Sequence, residues 1–225
     1  MLRPRKRITK KEIKEDPLVT NYLKVQNWLK KHSKQINIAI GGIIVVLLIV
    51  LIAVRSKRQA EIKAESQLSV VEQFYYQMDY NKVVQQMPEI IDKYRGTRAA
   101  GEAAFFVANS YYNLKDYDNS IKYFTICYKT LTKDPIYAPS SYAGIAQSLE
   151  MQEKYSEAAA MFEKAASEFD KLFSAPFYFK SAARCFAASG DSVKAKQILQ
   201  KVIDNYPSFE FKNEVLFQLK SLGHS

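Results

Sequence analysis

Two histidines and two cysteines are the side chains of this 225-residue chain best suited to acid–base, nucleophilic or metal chemistry. Each of those roles needs several such groups held together by a packed framework. His32 lies beside a long apolar run and His224 is the penultimate residue, so neither is placed to act as a held base or metal ligand. Cys127 and Cys185 fall in different units of a repeating pattern, with a whole unit between them. Ordinary burial is therefore expected of them, ahead of a disulfide or a catalytic thiol. Two isolated thiols are also compatible with an oxidising compartment. HExxH, GxSxG and a glycine-rich phosphate loop are all missing from the sequence. No catalytic residue, metal or cofactor is expected; an enzyme would need a pocket of acids and tyrosines that periodicity does not reveal.

The formal charge of +10 invites a nucleic-acid reading, but its distribution opposes it. Residues 1–35 hold 11 Lys and Arg against Glu12, Glu15 and Asp16, so this tail alone carries +8. After residue 54 there are 22 basic and 20 acidic residues, leaving +2 and no surplus for gripping a phosphate backbone.

The tail adjoins the strongest physical signal in the chain. Residues 36–54, INIAIGGIIVVLLIVLIAV, are apolar or glycine except for Asn37. At about 1.5 Å per residue such a helix reaches roughly 28 Å, near the hydrocarbon thickness of a bilayer. An uncleaved signal anchor is expected, because the positive region is long and no small-x-small site precedes Arg55. Lys24, Lys30, Lys31 and Lys34 before the run are balanced by Arg55, Lys57, Arg58 and Lys63 after it. The farther cluster Arg3, Arg5, Lys6, Arg7, Lys10, Lys11 and Lys14 tips the expectation toward a cytoplasmic N-terminus. Contact of this tail with anionic lipid is a compatible addition. Asp16-Pro17 reads as a helix start, followed by Leu18, Tyr22, Val25 and Leu29 at helical spacing. That stretch suits either an interfacial helix or an extension of the span.

The remaining residues repeat. An aromatic, then a small or apolar residue, then a large apolar one recur as Tyr80, Val83, Met87; Tyr117, Ser120, Phe124; and Tyr155, Ala158, Phe162. A looser match at Val193, Ala195, Leu199 completes the series, and its small positions are spaced 37, 38 and 37 residues apart. Each unit divides into two helical stripes about a turn, such as Leu114-Lys115-Asp116-Tyr117 or Ser189-Gly190-Asp191. Tyr111, Phe162 and Phe186 are expected to fill the space between stacked pairs. In the first unit Val70, Val71 and Phe74 form the stripe, and Pro88 either bends the second helix or sits near its start. Phe211, Val215, Leu216 and Leu219 suggest a cap over Ser208 to Leu222, ending in a fraying SLGHS. The fold expected is all-α: one N-terminal transmembrane helix, then an α-solenoid of about four helix pairs and a capping helix. The segments are 1–35 basic tail, 36–54 span, 55–63 helical stalk or hinge, and 64–222 repeats.

These residues resemble the tetratricopeptide repeat: small residues at the helix crossing, an aromatic after the first helix and proline after the second, best matched from Phe179 to Pro207. The usual glycine at the first small position is replaced by Ala108, Ala146 and Ala183. The wider layout, with Lys93-Tyr94-Arg95-Gly96-Thr97-Arg98-Ala99-Ala100 inside the repeats, resembles bacterial single-pass envelope proteins related to the ancillary subunit of the Sec translocon. That resemblance implies repeats in the periplasm, an inner-membrane location, and protein partners near the export channel, such as the translocon or periplasmic chaperones.

The outward side of the first helices is expected to form a groove. It comprises Leu68, Glu72, Tyr75 and Tyr76; Phe105, Asn109 and Tyr112; Gln147 and Glu150; and Phe177, Lys180 and Arg184. Rigid aromatics beside amides and charges suit capture of a peptide or helix. Coverage by a neighbouring helix and a plain solvated surface are the competing readings. Function is expected to be that of a membrane-anchored protein–protein adaptor at the periplasmic face, linked to export or chaperone hand-off. The alternative is a self-associating scaffold for envelope assembly or division, a homo-oligomer touching lipid and protein but not nucleic acid.

Overall fold

The computed structural model describes residues 17–222. The basic cluster from Arg3 to Lys14, the Asp16 cap, His224 and the fraying terminus lie outside the described residues. Among those described the chain is all-helical. It forms two compact units, Met1–Ser56 and Lys57–Ser225.

In the first unit, α1 (Pro17–Lys31) is followed by α2 (Ser33–Tyr76), which continues into the second unit. His32 does not interrupt the backbone ladder: its N–H donates to Trp28 O and its C=O accepts from Ile36 N. The helical hydrogen bonding thus carries straight from α1 into α2. The α2 helix is long and apolar enough to cross a membrane, and none of its apolar stretch is buried among the described residues. Ile43, Leu47, Val50 and Val54 all stand exposed, an arrangement water penalises and hydrocarbon tolerates.

In the second unit, the end of α2 pairs with α3 (Tyr80–Lys93), α4 (Arg98–Asn113) with α5 (Tyr117–Thr130), α6 (Tyr137–Met151) with α7 (Tyr155–Glu168), and α8 (Ala175–Ala188) with α9 (Ser192–Asn205). A last helix, α10 (Lys212–Ser221), packs on α9. Successive helices touch in chain order from α3 to α10, and α4 also touches α6, one first helix against the next.

The small-residue anchors found by periodicity are the crossing points. Val83, Ser120, Ala158 and Ala195 are each 0% exposed. Phe162 and Phe186 are buried and Tyr111 packs against the same core, as gap-fillers between pairs must. Close approach is most severe at Gly144 on α6, where an added Cβ would lie 2.3 Å from Phe124 Cζ. Ser120 and Ser148 meet across the same α5–α6 contact, their hydroxyls 3.0 Å apart, and Ser148 also donates to Gly144 O.

The turns repeat as strictly as the helices. Met78, Lys115, Glu153 and Gly190 all have positive φ, between 60° and 90°. In each turn that residue's N–H bonds three residues back and the next residue's N–H bonds five back, for example Lys115 N to Tyr112 O and Asp116 N to Tyr111 O. This double bond closes the first helix of each pair. The residue after it also starts the second helix: Asp79, Asp116 and Asp191 accept from the backbone N–H of Lys82, Asn119 and Lys194. Lys154 holds that place in the third turn without a side-chain cap.

One open choice is decided and two expectations are corrected. Pro88 lies inside α3 rather than near its start, and its missing N–H leaves Val84 C=O without the usual helical donor. Val70 is exposed while Val71 is buried, because the stripe of α2 follows Ala64, Leu68 and Val71. Within the expected cap over Ser208 to Leu222 the helix runs from Lys212 to Ser221, and its inward residues are Val215 and Leu219, with Leu222 just beyond it; Leu216 faces out.

Candidate protein-binding face

The expected groove runs along the first helices, and its residues divide into three groups by what touches them. The first group belongs to the packing. Leu68 is only 5% exposed and sits in the hydrophobic core, since it shares the stripe of Ala64 and Val71. Leu68 is therefore not a presented residue. Phe105 packs its ring edge-on against Phe124 and Tyr137, at centroid distances of 5.6 and 5.3 Å, bridging α4 to α5 and α6. Tyr75 is half-buried against Tyr80 and Phe106. Asn109 turns its amide back onto Phe105 O at 2.8 Å.

The second group is engaged by the chain's own C-terminal segment. Phe177 lies 4.8 Å from Phe209 and 5.5 Å from Phe211, while Lys180 pairs with Glu214 of α10 and stands 5.3 Å over the Phe211 ring. The end of the row is thus occupied from within. Coverage by a neighbouring segment, one of the competing readings, describes this end of the row; spacing did not name Phe209, Phe211 and Glu214, which lie more than thirty residues downstream of the groove residues they touch.

The third group remains presented. Tyr76 is 72% exposed at the end of α2, and Gln147 is exposed on α6. Between them Tyr112, Glu150 and Arg184 span α4, α6 and α8. Arg184 grips Glu150 through both terminal guanidinium nitrogens, Nη2 lying 2.9 Å from Oε2. Glu150 holds the Arg184 guanidinium above its usual range, against the opposing effect of burial, and burial together with the nearby charges of Tyr117 and Glu150 raises the Tyr112 phenol. A planar fork on a carboxylate fixes both side chains more firmly than a lysine would.

The other end of the face is acidic. Arg98 bridges Glu102 at 2.7 Å and Asp134 at 2.9 Å. Burial raises the Glu102 carboxyl despite Arg98, with Glu72 adding to the rise. At Asp134 burial acts in the same direction but is outweighed by the backbone N–H groups of Tyr137 and Ile136 and by Arg98, which hold its carboxyl below the usual range. Tyr137 is pushed up to about 12 by burial and then by Glu102 and Glu72. The arrangement suits recognition of amide, aromatic or basic groups.

The two thiols are both free and buried. Burial pushes Cys127 up to about 12 and Cys185 to about 11, far from the depressed values of reactive thiolates.

Residues 178–208, the α8–α9 pair, match the tetratricopeptide repeat family. The chain is also similar to solved repeat structures from Podosopora anserina, of a protein described as a putative kinesin light chain with nearly identical TPR-like repeats. A single-substitution form of that protein superposes with a TM-score of 0.55 at 11% identity, covering 72% of this chain and 85% of that one. The structure without the substitution gives 0.50 at 11% identity, covering 72% and 95%. At such identity the likeness establishes the fold alone. No curated protein matches the chain.

Proposed function

We propose that this chain is a membrane-anchored adaptor that captures other proteins on the presented part of its first-helix face. A tetratricopeptide-like scaffold supports a binding role, since its stacked helices hold side chains from several units in register. The observation that carries the reading furthest is the Tyr112, Glu150, Arg184 series, which spans three units and leaves exposed Tyr76 and Gln147 available nearby. Tethering by residues 36–54 raises the effective concentration of the adaptor near other membrane proteins. The basic tail favours a cytoplasmic N-terminus, placing the repeats on the outer face of a bacterial inner membrane. There the clients are proteins emerging from an export channel or handed on by chaperones.

The Arg184–Glu150 pair dictates the choice of variant. Arg184→Glu would set two carboxylates together and disturb the stacking itself. Tyr76→Ala with Gln147→Arg alters two exposed positions, of which Tyr76 makes only edge contacts with the rings of Tyr75 and Phe106. After partners are identified by crosslinking in intact membranes, this double variant is expected to lose most of their capture with helicity and melting unchanged. Undiminished capture by the folded variant contradicts the assigned face. Orientation is tested separately: cleavage of the repeats by protease confined to the cytoplasmic side overturns the periplasmic placement.

A further inference from the structure

An aromatic cavity of about 540 Å³ lies beyond the presented part of the first-helix face, between the α7–α8 loop and the α9–α10 linker. Its lining includes Phe173, Pro176, Phe177, Tyr206, Pro207 and Phe209, together with the exposed Lys171 and Glu210. The walls are held in place: Tyr206 donates its hydroxyl to Asp170 O at 2.9 Å, and Phe177 is braced by Phe209. The loop is fixed as well, by Leu172 N to Phe169 O and Ala175 N to Leu172 O, both 3.0 Å. At its tip Phe173 is 87% exposed, more than any other large apolar side chain among the described residues. It exceeds even the side chains of the membrane-compatible helix. A fixed loop that holds a phenyl ring in water beside an open aromatic cavity presents a projection and a recess on one patch.

We propose that this patch joins two copies of the chain about a two-fold axis, each placing its Phe173 in the other's cavity. The occupant follows from self-complementarity. A two-fold contact requires one surface to carry both halves of the fit, and this surface carries both the ring and the recess. It also carries both signs of charge, because Lys171 and Glu210 are exposed and, among the described residues, neither is ion-paired within its own chain. In the dimer Lys171 of one copy faces Glu210 of the other. The contact is independent of the client-binding face, and failure of either leaves the other standing.

The test is the mass of the full chain in detergent, measured by sedimentation across a concentration range. The native chain is expected to shift from monomer to dimer, and Phe173→Ser to remain monomeric with unchanged helicity. Lys171→Glu and Glu210→Lys are each expected to weaken the dimer about fivefold or more, and the double charge exchange to restore it. The Tyr76→Ala, Gln147→Arg variant should dimerise normally. A native chain that stays monomeric overturns the proposal, as does a dimer that survives Phe173→Ser, which would place association elsewhere, such as the apolar helix. Failure of the double exchange to rescue the single reversals overturns the charge pairing.

Discussion

Residue by residue, the four turns carry the same backbone geometry on different side chains. Only Gly190 among them has a positive φ without a Cβ; Met78, Lys115 and Glu153 adopt it with one. Left-handed backbone costs a non-glycine residue roughly 1–2 kcal/mol, while glycine loses about 0.5–1 kcal/mol of extra chain entropy. Glu153→Gly is therefore expected to stabilise the repeats by about 0.5–1 kcal/mol, and Gly190→Ala to destabilise them by about 1 kcal/mol. Thermal melting of the two variants checks both signs; destabilisation by Glu153→Gly would show that its side chain matters more than its backbone. Gly144→Ala is a different case. The buried Phe124 ring has nowhere to retreat, so the substitution is expected to cost about 1–3 kcal/mol, read as a lower melting point.

Between helices, Glu61 of α2 ties the start of the repeats together. Its carboxylate accepts from Arg98 N at 2.9 Å and Ala99 N at 2.7 Å, satisfying two of the free donors at the N-terminus of α4. Glu61→Ala is expected to lower stability by about 1–2 kcal/mol, with Glu61→Gln losing less because it keeps an acceptor. Equal losses in urea unfolding of the two variants would contradict the capping role. Glu61 was not legible from spacing, since a cap supplied from 37 residues away leaves no local pattern. The helix pairs were legible, because Val83, Ser120, Ala158 and Ala195 must be small or compact where backbones cross. Phe105 and Phe177 have the right face of the right helices for a groove. Whether a ring on such a face meets solvent or another segment depends on tertiary neighbours, Tyr137 in one case and Phe209 in the other. The exposed Phe173 stood in a linker, where periodicity is silent.

Across the molecule as a whole, two kinds of surface must be reconciled. Apolar side chains on residues 36–54 are exposed, with none of the described residues burying them, whereas the repeats bury nearly every large side chain of their helix stripes. A bilayer is the proposed environment of the first surface, and a partner protein the proposed occupant of the presented part of the second. The repeats also couple along their length through contacts 34 residues apart, Gln152 to Asp118, Arg184 to Glu150 and Lys180 to Glu214. Side chains from separate units are thereby held as one face. The adaptor reading is tested most directly by a photo-crosslinking residue at Gln147, with a control at exposed Gln197 of α9, in the full chain within intact membranes. Discrete protein adducts are expected at position 147, lost with Tyr76→Ala, and none of the same species at 197. Identical adducts at both positions, or none at 147 from a folded, membrane-inserted chain, would contradict capture on the first-helix face.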